Sequence, residues 1–513
     1  MFQFSKLFSP NNWFLWIGLT IVINSFYFDV RRDFLGQNDL YSIEGDAEQY
    51  VGAAESLSQH GEFRMERVPR LSNFVKEADL KALEYCFRMP GFAVIYVPLR
   101  TFLSKDNTCK AIIGLQIVLS ALSKYLLCLL LIQLIGRGNA FYLCLILVNL
   151  SPYSVLFNSL LLTESLAQSL IIIAVYLCIK QPVNNYFRVL LIGFCLFEAF
   201  WLRPFMGVLF PLFLLYFWVN DEKLNFKKYL FLLLPLLLIQ PFWIYRNYTV
   251  TGKIIPISST MIWKQIANGV YASLFKVTQL AGGDTEFWAD ESPMHWLISA
   301  PQDTLIPEIF YNRLSAPKAE IDKLKYAKEY YVASENKSLS LSQRMKAELD
   351  GRNCVDNLIR IETADNYFKK KVKSSFYYAR MLLNQPILRY FASIKYPFNV
   401  ALTALEYFLI RLVFYFGMCC SVWYIIKFMG NTKAGNAGIF AVSFVPVFLL
   451  TFFSLMASNE FRELYLAFPF LIIAILHFLA RPMKWNVNYI LLLFFMLVIL
   501  FKTKVYLLDS FRF

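Results

Sequence analysis

Gly91-Phe92-Ala93-Val94-Ile95-Tyr96-Val97-Pro98-Leu99-Arg100-Thr101-Phe102-Leu103 is largely apolar, yet at 13 residues it falls short of a bilayer span. A helix needs about 20 apolar residues to cross the hydrocarbon core. The segment therefore reads as interfacial or re-entrant, and this reading fixes the parity of every later loop. Apolar spans lie near Trp13–Phe28, Cys109–Ile135, Ala140–Phe157, Thr163–Ile179, Val189–Leu202, Phe205–Trp218 and Tyr229–Tyr245, and after a long polar interval near Ala404–Ile426, Gly438–Met456, Leu464–Phe478 and Val487–Phe501. If Gly91–Leu103 stays on one side, Arg137, Lys180, Arg188, Lys223, Lys227, Lys228, Lys427, Lys433, Arg481 and Lys484 all share the side of Lys6. The opposite short connections then hold only Arg203, Arg462 and the tail residues Lys502, Lys504 and Arg512. Positive charge gathers on the cytoplasmic side of membrane proteins, so the amino terminus is expected there.

Composition agrees. The chain of 513 residues is 58% hydrophobic and 17% charged, with 50 Phe. Its mean hydropathy of +0.47 excludes an ordinary soluble domain. The net charge of +14 lies mostly beside apolar runs, which points to membrane orientation and anionic lipid rather than nucleic acid. Nine scattered cysteines and three histidines form no disulfide or zinc pattern. Met1–Asn12 and the following run lack a small-residue cleavage site, so the first span is expected to stay as an anchor.

The expected fold is an all-α polytopic membrane protein of about eleven transmembrane helices. Residues 1–245 form the membrane module with a long first outer loop (29–108), residues 246–400 a large outer loop, and 401–513 the carboxy-terminal helices. In the large loop, Ile321, Leu324, Ala327 and Tyr331 recur at helical spacing among dense Lys and Glu, the pattern of a small helical domain.

Charged residues at the outer ends of spans are the candidate site. Asp46 opens a stretch in which Tyr50, Ala54 and Leu57 share one helix face and Gly61 supplies a stop. It suits a catalytic carboxylate, and a helix cap accounts for it equally well. Arg88 precedes Pro90, at the start of a helix expected to reach Leu103. A guanidinium there can grip a lipid phosphate, although taken alone it reads more readily as a snorkelling arginine. Thr163 and Glu164 fit the cap and first position of a helix, a role that explains Glu164 as well as function does. Arg203, Arg246 and Arg462 lie on the face where arginine is disfavoured, and together they suggest an anionic substrate group.

The order Gly45-Asp46-x-x-x-Tyr50, His60-Gly61-x-Phe63, Arg88-x-Pro90-Gly91-Phe92, Leu162-Thr163-Glu164, Leu202-Arg203-Pro204 and Tyr245-Arg246-Asn247-x-x-x-x-Gly252 resembles the GT-C superfamily of polyprenyl-phosphate-sugar-dependent glycosyltransferases. It is most similar to the bacterial branch related to protein O-mannosyltransferases and lipid A aminoarabinose transferases. The resemblance covers residues 10–260. It implies a seven-span module, a polyprenyl-phosphate sugar donor, an acceptor that is a glycan, lipid or protein, and a site facing the periplasm of a bacterial inner membrane. It also implies Asp46 as the catalytic base of an inverting transfer, with Arg88 and Glu164 lining the same cavity; Tyr50 on the Asp46 helix face and the arginines Arg203, Arg246 and Arg462 complete the expected substrate-binding set. Many relatives carry an adjacent Asp-Glu pair, whereas here Ala47 follows Asp46 and Glu48 lies two residues on. No cofactor is certain, a divalent cation being the one candidate. The competing class is a transporter of lipid-linked sugar, for which Lys124, Glu198 and Arg411 supply mid-span charge.

Overall fold

The computed structural model describes residues 9–35, 46–65, 72–150, 157–180, 185–220, 226–258, 268–281, 296–297, 305–364, 398–430, 437–456 and 461–480. Among these the chain is built of helices and turns, in a multi-pass membrane architecture. The helices used below are α1 (Trp13–Leu35), α2 (Asp46–His60), α3 (Glu77–Cys86), α4 (Gly91–Arg100), α5 (Lys105–Ile135), α6 (Asn139–Leu150), α7 (Glu164–Ile179) and α8 (Tyr186–Leu202). A 3-10 turn at Pro204–Val208 leads to α9 (Leu209–Asn220) and α10 (Phe226–Thr251). Then come α11 (Gly269–Leu280), α12 (Lys323–Glu335), α13 (Leu341–Ala364), α14 (Phe398–Gly430), α15 (Ala437–Met456) and α16 (Phe461–Leu479). Residues Lys105–Ile135, Phe226–Thr251 and Phe408–Met429 are long and apolar enough to cross a bilayer, and several others are shorter apolar helices. The expected span at Val487–Phe501 lies outside the described residues.

At Gly91–Leu103 the chain forms only the ten-residue α4, about 15 Å long at 1.5 Å per residue. That is about half a hydrocarbon core. The helix ends at Arg100 rather than Leu103: beyond it the Phe102 amide bonds the Leu99 carbonyl in a tighter turn, and Thr101 Oγ1 turns back onto the Pro98 carbonyl at 2.7 Å. The span expected from Phe205 likewise begins as the 3-10 turn, since Pro204 follows the extended Arg203.

Helix α7 is the centre of the bundle. Thirteen of its sixteen residues are buried, as befits a helix apolar nearly all round, and it packs between α5 and α8. One face of α5 is polar: Gln116, Ser120, Ser123 and Lys124 are all buried, at i, i+4, i+7 and i+8. Their partners account for the burial. Gln116 donates to the Leu162 carbonyl at 2.8 Å, Asn158 to Ser120 at 3.0 Å, and Lys124 to Asn24 at 3.1 Å. Such bonds between helices satisfy groups that lipid cannot.

Outside the spans, α11, α12 and α13 form a second core around Val270, Leu274, Leu324, Ala327 and Val355. The helical spacing at Ile321, Leu324 and Ala327 is borne out by burial, and Tyr331 packs on Tyr271 with ring centroids 5.6 Å apart. The segment between α1 and α4 meets this domain and the Arg246 end of α10, so all three lie at one end of the bundle. Single-cysteine labelling in sealed vesicles is expected to place residue 137 on one side of the membrane and residue 46 on the other. Labelling of both from one side would overturn the charge-based orientation.

Candidate active site

Two short helices bring the first charged cluster together. Asp46 stands in the first turn of α2, and Gly61, with φ of 70°, ends that helix in the left-handed conformation that glycine adopts freely. Ala53 and Ala54 are buried and small, so α2 packs closely beside α4. Arg88, just ahead of α4, then reaches back to α2. Its Nη2 donates to Asp46 Oδ1 at 2.7 Å and to Gln49 Oε1 at 2.5 Å. Its Nε also donates to Gln49 Oε1 at 2.9 Å, and Nη1 to the Tyr50 hydroxyl at 3.2 Å. The guanidinium lies 4.6 Å from the Tyr50 ring centroid. Charge-assisted bonds of this kind contribute about 1.5–3 kcal/mol each, and the ring contact about 0.5–2 kcal/mol. Asp46, Tyr50 and Arg88 are thus one unit.

The second cluster is buried. Glu164 is the first residue of α7, as its spacing predicts, but the Thr163 side chain makes no cap hydrogen bond. The Glu164 carboxylate, fully buried, forms an ion pair with Arg203, which closes α8 in extended conformation. The guanidinium of Arg203 lies 5.0 Å from the Phe205 ring centroid.

Gly91 joins the two clusters. A Cβ built there would stand 2.6 Å from both the Trp201 carbonyl carbon and the Leu202 nitrogen. Only glycine lets α4 approach the end of α8 so closely, three residues after Arg88 and beside the residue that precedes Arg203. The close approach packs the start of α4, which follows Arg88, on the carboxy-terminal end of α8, which leads into Arg203.

The other sequence candidates lie differently. Arg246 donates to the backbone carbonyls of Tyr85 at 2.7 Å and Phe63 at 2.8 Å, packed against the Trp243 ring. It fastens the first loop to α10. Arg462 is the second residue of α16, but its side chain lies outside the described residues. For a divalent cation, the donor set does not fit: Asp46 faces a guanidinium, and Glu48 is exposed. Among the described residues no cluster of three His, Cys, Asp or Glu side chains forms.

Two partners escape the sequence reading. Gln49 is within its reach, being nearly one helical turn from Asp46. The Glu55 network is less so. Arg100 Nε contacts both Glu55 oxygens at 3.1 Å, and the Tyr96 hydroxyl donates to Oε2 at 2.6 Å. Burial pushes the Glu55 carboxyl up, but the Arg100 and Tyr96 hydrogen bonds prevail and hold it below the ordinary carboxylate range. This network ties α2 to α4 beyond the site.

The chain matches no protein-family model and no curated protein. Among solved structures it is similar to the archaeal oligosaccharyltransferase AglB from Archaeoglobus fulgidus, in complex with an inhibitory peptide and a dolichol-phosphate, at 10% identity and a TM-score of 0.41. That alignment covers 98% of this chain and 56% of the archaeal one, so this chain spans little more than half its length. It is also similar to ArnT from Cupriavidus metallidurans bound to undecaprenyl phosphate, at 11% identity and a TM-score of 0.33, over 90% of this chain and 77% of that one.

Proposed function

We propose that this protein is a membrane glycosyltransferase that moves a sugar from a polyprenyl-phosphate donor to an acceptor at the outer face, with inversion. The observation that carries the reading is the convergence of Asp46, Gln49 and Tyr50 on the Arg88 guanidinium, a partly exposed carboxylate and an arginine fork in one cluster. The order of the motifs along residues 45–252 supports it.

An acceptor hydroxyl is a poor nucleophile and needs a base, and Asp46 is the partly exposed carboxylate of the cluster. The leaving group is a lipid phosphate whose charge grows as the glycosidic bond breaks. A guanidinium fork binds that growing charge more tightly than it binds the donor, which is the condition for accelerating the step. Arg88 meets Asp46 in the structure, so the incoming phosphate exchanges one anion on Arg88 for another. The exchange releases Asp46 toward the acceptor as the donor seats. Placement of the site at the outer face rests on the charge-based orientation, and a bacterial inner membrane on the resemblance of the motifs. Of the three mid-span charges a transporter would use, Lys124, Glu198 and Arg411, the first is bonded to amides of α1 and α6 within the bundle.

The test uses the full chain in lipid nanodiscs with labelled polyprenyl-phosphate hexoses and an envelope extract as acceptor source. Release of polyprenyl phosphate with label transfer is expected. Movement of intact donor across proteoliposomes without release would identify a transporter instead. Arg88→Lys should weaken undecaprenyl-phosphate binding by about tenfold or more, since an ammonium cannot reproduce the fork. Unchanged binding would place the phosphate elsewhere.

A further inference from the structure

The carboxylate of Glu348, on α13 of the outer domain, is buried and accepts hydrogen bonds from a turn of the first loop and from the start of α11. Its Oε1 takes the Ser72 hydroxyl at 2.5 Å and the Gly269 amide at 2.7 Å. Its Oε2 takes the Asn73 amide at 2.7 Å and the Asn73 side-chain nitrogen at 3.0 Å. Asn73 also donates to the Ser334 carbonyl at 3.2 Å, at the end of α12. Four donors from Ser72, Asn73 and Gly269 therefore converge on one side chain that is 3% exposed. Ser72 and Asn73 belong to the first outer loop, in which Asp46 lies before them and Arg88 after. The outer domain thus grips the middle of the loop whose two arms meet in the Asp46–Arg88 bond.

We propose that Glu348 is a positioning residue for the transfer: its clasp on Ser72–Asn73 couples the placement of the outer domain to the alignment of Asp46 with Arg88. The inference rests on the function proposed above. A short, charge-assisted, four-donor contact is worth more than the packing of an exposed turn, so the loop follows the domain. Helix α3 carries this constraint from the turn to Arg88, and its Asp79 is paired with Lys253 beyond α10. An acceptor that moves the outer domain would be felt at the base without touching it.

The test is a double-mutant cycle on the full chain in nanodiscs. Asn73→Asp sets a second carboxylate against Glu348, while Glu348→Gln removes the charge that holds the donors. Each single variant is expected to cut transfer by about tenfold or more and to raise hydrogen exchange at residues 72–75. In the combined variant the amide introduced at position 348 can donate to the new carboxylate, so much of the transfer should return. Such recovery marks coupling through this contact, which separate structural damage would not produce. Unchanged transfer in both single variants, or additive losses in the combined one, would overturn the inference. If the parent protein releases no polyprenyl phosphate at all, the function fails first, and the exchange data then report only the clasp.

Discussion

Asp46→Asn should remove nearly all transfer, a loss of about 10²-fold or more, while the protein folds and inserts normally. Asparagine starts a helix about as well as aspartate, so a residue that only capped α2 would be replaced at little cost. Its side-chain oxygen can still accept from Arg88, which keeps Tyr50 and Gln49 in place. A second readout separates the two roles further. With the carboxylate charge gone, Arg88 no longer exchanges one anion for another, so undecaprenyl phosphate should bind more tightly as transfer falls. Steady-state transfer, lipid binding and thermal unfolding of the same preparation check all three expectations. Near-normal transfer would return Asp46 to a capping role and send the search for the base to Glu164.

The largest effect on stability is expected at the buried pair. Glu164→Ala leaves the Arg203 guanidinium, only 11% exposed, without its carboxylate. Breaking a buried ion pair from one side costs about 3–5 kcal/mol, because the remaining charge stays desolvated. That is a large fraction of the roughly 5–15 kcal/mol that holds a domain folded. Removing both charges at once, as Glu164→Gln with Arg203→Met, should restore much of the stability while leaving transfer impaired. Thermal unfolding in detergent measures the first and the transfer assay the second. Equal stability of Glu164→Ala and the parent would mean that water reaches the pair.

Which parts of this arrangement a reader of the sequence can find depends on how local the signal is. The spans are legible because lipid demands long apolar runs, and the half-length run at Gly91 stands out against them. Asp46, Arg88, Glu164 and Arg203 are legible because charge is scarce near span ends. Their pairing is not, since nothing local says that residues 46 and 88, or 164 and 203, meet. Arg246 reads in the sequence as a ligand for an anion, yet its donors turn to backbone carbonyls, and a carbonyl leaves no mark in the sequence. Glu348 and Ser72 lie 276 residues apart in the chain. On its own helix Glu348 is one acid among several, and only the folded chain shows the four donors it collects.

Arg246 has a consequence for how the first loop can change over time. It holds that loop by the carbonyl oxygens at positions 63 and 85, which every amino acid supplies. The side chains there add ring contacts to the guanidinium, with centroids 5.9 and 5.7 Å away, but they do not make the hydrogen bonds. The clamp thus recognises a path through space and is indifferent to most of the letters that follow it. Mutational drift can rewrite the loop's surface, and with it whatever the loop meets, while one arginine keeps the two arms returning to the same place.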